Sequence, residues 1–109
     1  MHEKFLRELK KDIVSFLEIE RKRLSEKTAR RREECLWDFY DFVSQNPKVT
    51  SHKKFNKTLT KRFIKWLRRI IGMSKSYIKD SLTSIRKFFN YLISIGKLTN
   101  NPAKEIYVS

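Results

Sequence analysis

The run from Gly72 to Ala103, GMSKSYIKDSLTSIRKFFNYLISIGKLTNNPA, constrains the fold more than any other part of the chain. Ile78, Leu82, Ile85, Phe89 and Leu92 step by four, three, four and three residues. Such steps return to one side of a helix, whereas side chains along a strand alternate between faces. Ser74 or Ser76 offers a hydroxyl cap at the start, and Gly96 a stop at the end. Leu98 can fold back onto the body, and Asn101-Pro102 marks an exit.

Three more helices follow from the same test. Phe5, Leu9, Ile13, Phe16 and Leu17 give one buried face to a helix from Lys4 to Arg23. A second helix is expected from Ser25 to Ser44, with Ser25 and Thr28 as alternative caps and Leu36, Phe39, Tyr40 and Val43 inward. Gln45-Asn46-Pro47 ends it, because proline lacks an amide donor and restricts the residue before it. Pro47 to Thr58 reads as a polar, mobile connection without periodicity. Thr58 or Thr60 is expected to cap a third helix, with Phe63, Ile64, Leu67, Ile70 and Ile71 as its stripe and Gly72 as its stop. Short links at Leu24 and at Gly72-Met73 make two helical hairpins. Packed face to face, they bury all four stripes in an all-α orthogonal bundle of four or five helices.

Composition supports this class. With two Gly and two Pro in 109 residues, the chain lacks the turn residues an all-β fold spends. At 39% hydrophobic and 13% aromatic it is too apolar for a disordered basic tail. No apolar run reaches the roughly 20 residues that span a bilayer, and the MHEKFLRELKKD start lacks the apolar stretch of a secretory signal. The single Cys35 leaves no internal disulfide, and a reducing, cytoplasmic setting follows.

The formal net charge is +14, and it is unevenly spread. From Phe42 to Lys79 there are eleven Lys or Arg and no acid, while ten of the twelve acids fall at or before Asp41. Such segregation makes a positive surface that attracts polyanions, nucleic acid first.

Catalytic groups are sparse. His2 and His52 lie in a terminus and a basic loop with no paired acid or cysteine, and zinc needs about four convergent donors. Cys35 reads as a small buried thiol. No Gly-rich phosphate loop is present, so no active site, metal or cofactor is expected. Nucleic-acid chemistry is better supplied. Lys27, Thr28, Arg30, Arg31 and Arg32 crowd the start of the second helix, where backbone amides also favour phosphate. Lys75, Ser76, Tyr77, Lys79, Asp80, Ser81 and Thr83 mark the start and outer face of the fourth. Asp80 can accept from a cytosine amino group or serve the first turn of its helix. Lys61, Lys65, Arg68 and Arg69 suit either phosphates or solvent. Phe16, Phe39, Phe63, Phe88 and Phe89 fit a core, and Trp37 and Trp66 fall at stripe edges.

Two motifs add a resemblance. Leu24-Ser25-Glu26-Lys27-Thr28, followed by Arg30 to Arg32, is similar to an "lS-x-x-T" helix start. Gly72-Met73-Ser74, Ile85-Arg86-Lys87-Phe88-Phe89-Asn90-Tyr91-Leu92, Gly96-Lys97-Leu98 and Asn101-Pro102-Ala103 are similar to an "LR-x-FF-x-YL…G-x-L-x-x-NP" ending. Together they resemble the N-terminal core-binding, SAM-like domain of tyrosine recombinases, the phage-integrase and Xer-like site-specific enzymes, over about Leu9 to Ile106.

The resemblance implies a helical bundle that clamps one face of double-stranded DNA, with a catalytic domain of the same parent chain opposite it. It implies contacts from Lys27, Thr28, Arg30 and Arg31 in helix two and from Ser76, Tyr77, Asp80 and Ser81 in helix four, with Arg86 at a phosphate. Tyr77 stands where the family more often has Thr, and Asp80 and Ser81 where basic or amide side chains are frequent. The family's catalytic Arg, Lys, His and Tyr belong to the other domain, and Tyr107 lacks every partner such a nucleophile needs.

The expectation is therefore a DNA-binding domain over residues 1–103, with the interdomain linker starting at 104–109. It serves a cytoplasmic, nucleoid-associated recombinase whose protomers meet on DNA, with no membrane partner. The end soon after Asn101-Pro102 favours a piece of a longer recombinase over a stand-alone binder. The rival is a basic helical module for RNA or an acidic protein. A helix-turn-helix repressor is a third reading, imitated by the Gly72 turn.

Overall fold

A computed structural model describes residues 1–108. Helix α1 spans His2–Arg23, α2 Glu26–Ser44, α3 Lys57–Arg69 and α4 Lys75–Ser94, with a 3-10 turn at His52–Lys54 before α3. No strand occurs among the described residues, and no helix among them is long and apolar enough to cross a membrane. The all-α expectation holds. Helix α2 packs against both α1 and α4 and also touches α3.

The caps explain the boundaries. Ser25 Oγ accepts the Thr28 amide at 3.3 Å, so Ser25 rather than Thr28 starts α2. Ser74 Oγ accepts the Tyr77 amide at 3.2 Å and starts α4. For α3 the expectation fails: Asn56 Oδ1 takes the Leu59 amide at 2.8 Å. The Thr60 hydroxyl donates back to the Asn56 carbonyl at 3.0 Å, and Thr58 stays exposed. An Asn cap is as good as a Thr cap, and it lies where the chain is still extended. Helix α1 begins two residues earlier than expected, with His2 donating a ring N–H to the Val49 carbonyl at 2.9 Å.

Both glycines sit where positive φ is required, Gly72 at 74° and Gly96 at 80°. After α4, Gly96 N–H donates to the Ile93 carbonyl and Lys97 N–H to the Leu92 carbonyl, at 3.1 and 2.8 Å. These two bonds make a Schellman stop, and Leu98 then packs on the core. The α3 stripe is shorter than expected. Ile70 and Ile71 are exposed, at 71% and 42%, because the helix ends at Arg69 and its period ends with it.

The core is aromatic, as its spacing predicts. Phe39 is fully buried, with the rings of Phe55, Phe63 and Phe89 edge-on at 5.4, 5.2 and 5.7 Å. Trp66 packs on Phe42 and Phe63, and Trp37 on Tyr40. The Pro47–Thr58 connection is not the featureless loop expected of it. Val49, His52 and Phe55 are buried and carry it into the core, where Phe55 packs on Phe5 of α1, Phe39 of α2 and Phe89 of α4.

His52 is accordingly not an isolated surface residue. Its Nε2 lies 2.9 Å from an Asp12 carboxylate oxygen and its Nδ1 3.3 Å from Glu8. Lys97 Nζ sits 2.6 Å from Asp12 and 3.4 Å from Glu8. The ligand atoms of Glu8, Asp12 and His52 lie within 4.8 Å of one another, but the Lys97 ammonium already supplies the positive charge a metal ion would bring. Burial alone would raise the Asp12 carboxyl, yet hydrogen bonds and charge from His52 and Lys97 outweigh it and hold the group below its ordinary range. Burial would likewise lower Lys97, and the Asp12 and Glu8 contacts raise it instead.

A depressed carboxyl stabilises the fold above its unfolded value, about 3.9, and that contribution fades as pH falls through the lower folded value. Asp12→Asn is therefore expected to cost about 2 kcal/mol near neutral pH. The deficit should shrink below about pH 4. Urea midpoints at both pH values check this; a deficit independent of pH would contradict it.

At the other end of α1, Glu20 is 2% exposed and accepts from the guanidinium of Arg32, itself 7% exposed. Arg23 adds two bonds to the same carboxylate, at 3.1 and 2.6 Å. Past α4, Asn101 donates to the Arg86 carbonyl and to Asn90, both at 2.9 Å. The stretch expected to open a linker packs back as far as Ile106, which is 6% exposed.

Candidate nucleic-acid interface

The first halves of α2 and α4 lie side by side along one face. Arg31 Nη1 donates to Asp80 at 3.1 Å, and its guanidinium carbon lies 4.8 Å from the centre of the Tyr77 ring. The Tyr77 hydroxyl donates to Asp38. Lys27, Thr28 and Arg31 share an open cleft of about 390 Å³ with Asp80, Thr83 and Ser84. These pairings run in opposite chain directions: Asp38 faces Tyr77, Arg31 faces Asp80, and Lys27 and Thr28 face Thr83. Helices α2 and α4 are therefore antiparallel where they form the cleft.

Lys27, Thr28, Arg31, Tyr77 and Asp80 of the expected site residues come together on this face. Lys27, Thr28, Lys75, Ser76 and Lys79 are exposed. Arg30 is exposed too and pairs with Glu26 at 3.1 Å, one turn away, which holds it only weakly. Tyr77 is half-buried with its hydroxyl turned inward to Asp38, so it offers Arg31 a ring face rather than the cleft a hydroxyl. Burial, followed by the Asp38 hydrogen bond, pushes the phenol far above its ordinary value and keeps it a donor. Burial also raises the Asp38 carboxyl, the Tyr77 bond opposes this, and the charges of Asp41 and Glu34 add to it. Asp80 serves neither as cap nor as first-turn anion; it is the counter-charge of Arg31.

Two expected residues lie elsewhere. Ser81 is fully buried with no nitrogen or oxygen partner, and Cys35 is its polar neighbour. It stands three residues after Ile78 and four before Ile85, so the helical period puts it on the inner face, out of reach of a duplex. Arg86 is spent on the chain after α4. It donates to the Ala103 carbonyl at 3.0 Å and to the Ile106 carbonyl, and Tyr107 stacks 5.5 Å from its guanidinium.

Cys35 is buried as expected. Burial raises its thiol, the Ser81 and Ser84 hydroxyls only partly offset that, and the group stays protonated and inert. Sequence reasoning missed the acids that enter the cleft. Glu34 approaches Arg31 at 4.0 Å from the same helix, a three-residue spacing that was open to inspection. The Arg31–Asp80 pair crosses 49 residues and had no local signal.

No curated protein and no solved structure matches the chain. A family model described as the phage integrase SAM-like domain matches residues 4–107, nearly the whole length. With that match over its four helices, the chain belongs to the phage integrase SAM-like domain family.

Proposed function

We propose that this domain binds duplex DNA at one half-site as the clamp of a site-specific tyrosine recombinase. The observation that carries the reading is the single cleft in which Lys27, Thr28 and Arg31 of α2 face Asp80 and Thr83 of α4. Lys27 and Thr28 suit phosphate oxygens, and Arg31 suits the paired acceptors on the major-groove edge of guanine. Strand cleavage belongs to the catalytic domain of the parent protein, and other protomers join on the assembled DNA. The setting is cytoplasmic, at the nucleoid.

Titration of a labelled duplex at several salt concentrations tests this. Binding is expected at low salt, with log K falling linearly in log salt as condensed counterions are released. No affinity at low salt, or affinity indifferent to salt, would overturn it. Tighter binding to RNA than to duplex DNA would favour the rival reading.

A further inference from the structure

The arginines at the start of α2 are answered within the protein, while Lys27, Lys75 and Lys79 have no acid partner among the described residues. Arg30 pairs with Glu26, Arg31 with Asp80 and Glu34, and Arg32 with Glu20. Helix α3 and the connection before it are different. Between Lys48 and Arg69 there are nine Lys or Arg and no acid. All nine are exposed, and among the described residues none makes an ion pair.

Four of them, Lys57, Lys61, Lys65 and Arg68, recur at four, four and three residues and form one outward stripe. Like charges at this spacing oppose a helix rather than support it. The stripe survives because Phe63, Ile64 and Leu67 anchor the other side of α3 in the core. It runs about 16 Å along the helix, and one strand of B-DNA passes about five phosphates in that distance.

We infer that the outward stripe of α3 is a second DNA contact, one that grips the phosphate backbone of duplex beyond the half-site held in the α2–α4 cleft. Its place in the fold separates it from the cleft. Helix α3 packs on Phe42 and reaches Asn46 through Arg62, at the far end of α2 from Lys27. Its chemistry selects duplex over other polyanions. Trp66 is turned to Phe42 and Phe63, so no aromatic side chain stands among the cations to stack on unpaired bases. The apolar stripe within α3 is committed to the core, and Ile70 and Ile71, exposed past its end, are too few to make an amphipathic face for a lipid surface. With charge but no donor–acceptor fork between two helices, the contact is indifferent to base sequence.

The inference rests on the DNA-binding reading for the first contact only, and one experiment separates the two. Affinities are measured for a duplex of about one helical turn and for a much longer one. The chain is compared with Lys57→Gln/Lys61→Gln/Lys65→Gln/Arg68→Gln and with Lys27→Gln/Lys79→Gln. Glutamine keeps helix propensity and these positions are exposed, and circular dichroism verifies the fold. The α3 variant is expected to bind the short duplex as the parent does. On the long duplex it should lose at least tenfold at low salt, with a salt slope flatter by about one unit per residue in contact. The cleft variant should weaken on both lengths.

Equal affinity of parent and α3 variant on the long duplex overturns the second contact. So does an equal loss on both lengths, or capture by anionic vesicles without any gain on long DNA. A cleft variant that binds as the parent does, beside an α3 variant that has lost all binding, overturns the cleft reading instead and makes α3 the primary surface. Lys61→Gln/Lys65→Gln repeats the comparison with less change to the helix.

Discussion

Replacing Glu20 with alanine is expected to destabilise the domain by about 3–5 kcal/mol. The Glu20 carboxylate is 2% exposed and accepts from Arg32 and Arg23 at once. Arg32 is 7% exposed, at the floor of the cleft beside Lys27 and Asp80, and its ion-pair partner among the described residues is Glu20. Deleting the carboxylate therefore leaves a guanidinium buried without its counter-charge, which is the costly way to break such a pair. Against a typical total of about 5–15 kcal/mol, the loss removes about a fifth of the stability or more. Urea unfolding followed by the fluorescence of Trp37 and Trp66 should show an earlier midpoint with an unchanged slope. The double change Glu20→Leu/Arg32→Met should recover most of the loss, because two apolar side chains of similar bulk need no desolvated charge. A loss below about 1 kcal/mol for Glu20→Ala would mean that Arg32 finds other partners.

Removing Arg31 should have the largest effect on DNA binding. Arg31 is 44% exposed and its partner Asp80 49%, so the pair between them is worth only about 0–1 kcal/mol. A bidentate contact to a base is worth about 1–3 kcal/mol. On the proposed reading the guanidinium can therefore leave Asp80 for a guanine edge at a net gain, and it already lies over the Tyr77 ring, 4.8 Å from its centre. Arg31→Ala is expected to weaken a specific site by roughly 10–100-fold. Asp80→Asn should move the other way on unrelated duplexes, binding them more tightly because a negative charge has left the cleft. Its ratio of specific to non-specific affinity should fall. Parallel titrations of specific and scrambled duplexes read both. Unchanged affinity of Arg31→Ala for its best duplex would remove Arg31 from the contact.

The helices were legible because their apolar residues keep a period, and the Ser and Gly ends because they act locally, whereas the Asn56 cap of α3 was passed over for Thr58 or Thr60. The stripe of α4 and its Gly96 stop stand where the sequence places them. Ser81 shows the same rule read too loosely. Its position between Ile78 and Ile85 already puts it on the inner face, and the family comparison pointed the other way. The connection before α3 was harder. Val49, His52 and Phe55 follow a three-residue step, which suits a 3-10 turn but is too short a run to stand out among lysines. The cluster of Glu8, Asp12, His52 and Lys97 joins residues 85 apart in sequence, and Arg31–Asp80 joins residues 49 apart. Pairs at such distance depend on how the helices stack, and no local pattern announces them. The carbonyl partners of Arg86 were hidden for a related reason: an arginine in the middle of a helix looks free until the chain beyond Asn101 returns to meet it.

The antiparallel pairing of α2 and α4 has a consequence for how recognition can change. Opposed helices have opposed backbone dipoles, which largely cancel over the middle of the cleft. Each positive end stays local, and the two ends are set roughly 18 Å apart by the 12 helical residues between Glu26 and Asp38. Attraction at those ends is built from amides and survives substitution of any side chain. At the centre stand Arg31 and Asp80, with Glu34 and Lys27 beside them. On the proposed reading, a substitution at Arg31 or Asp80 retunes what is read while the ends keep the protein on its polymer, and the arrangement divides holding from reading, letting the second drift without loss of the first.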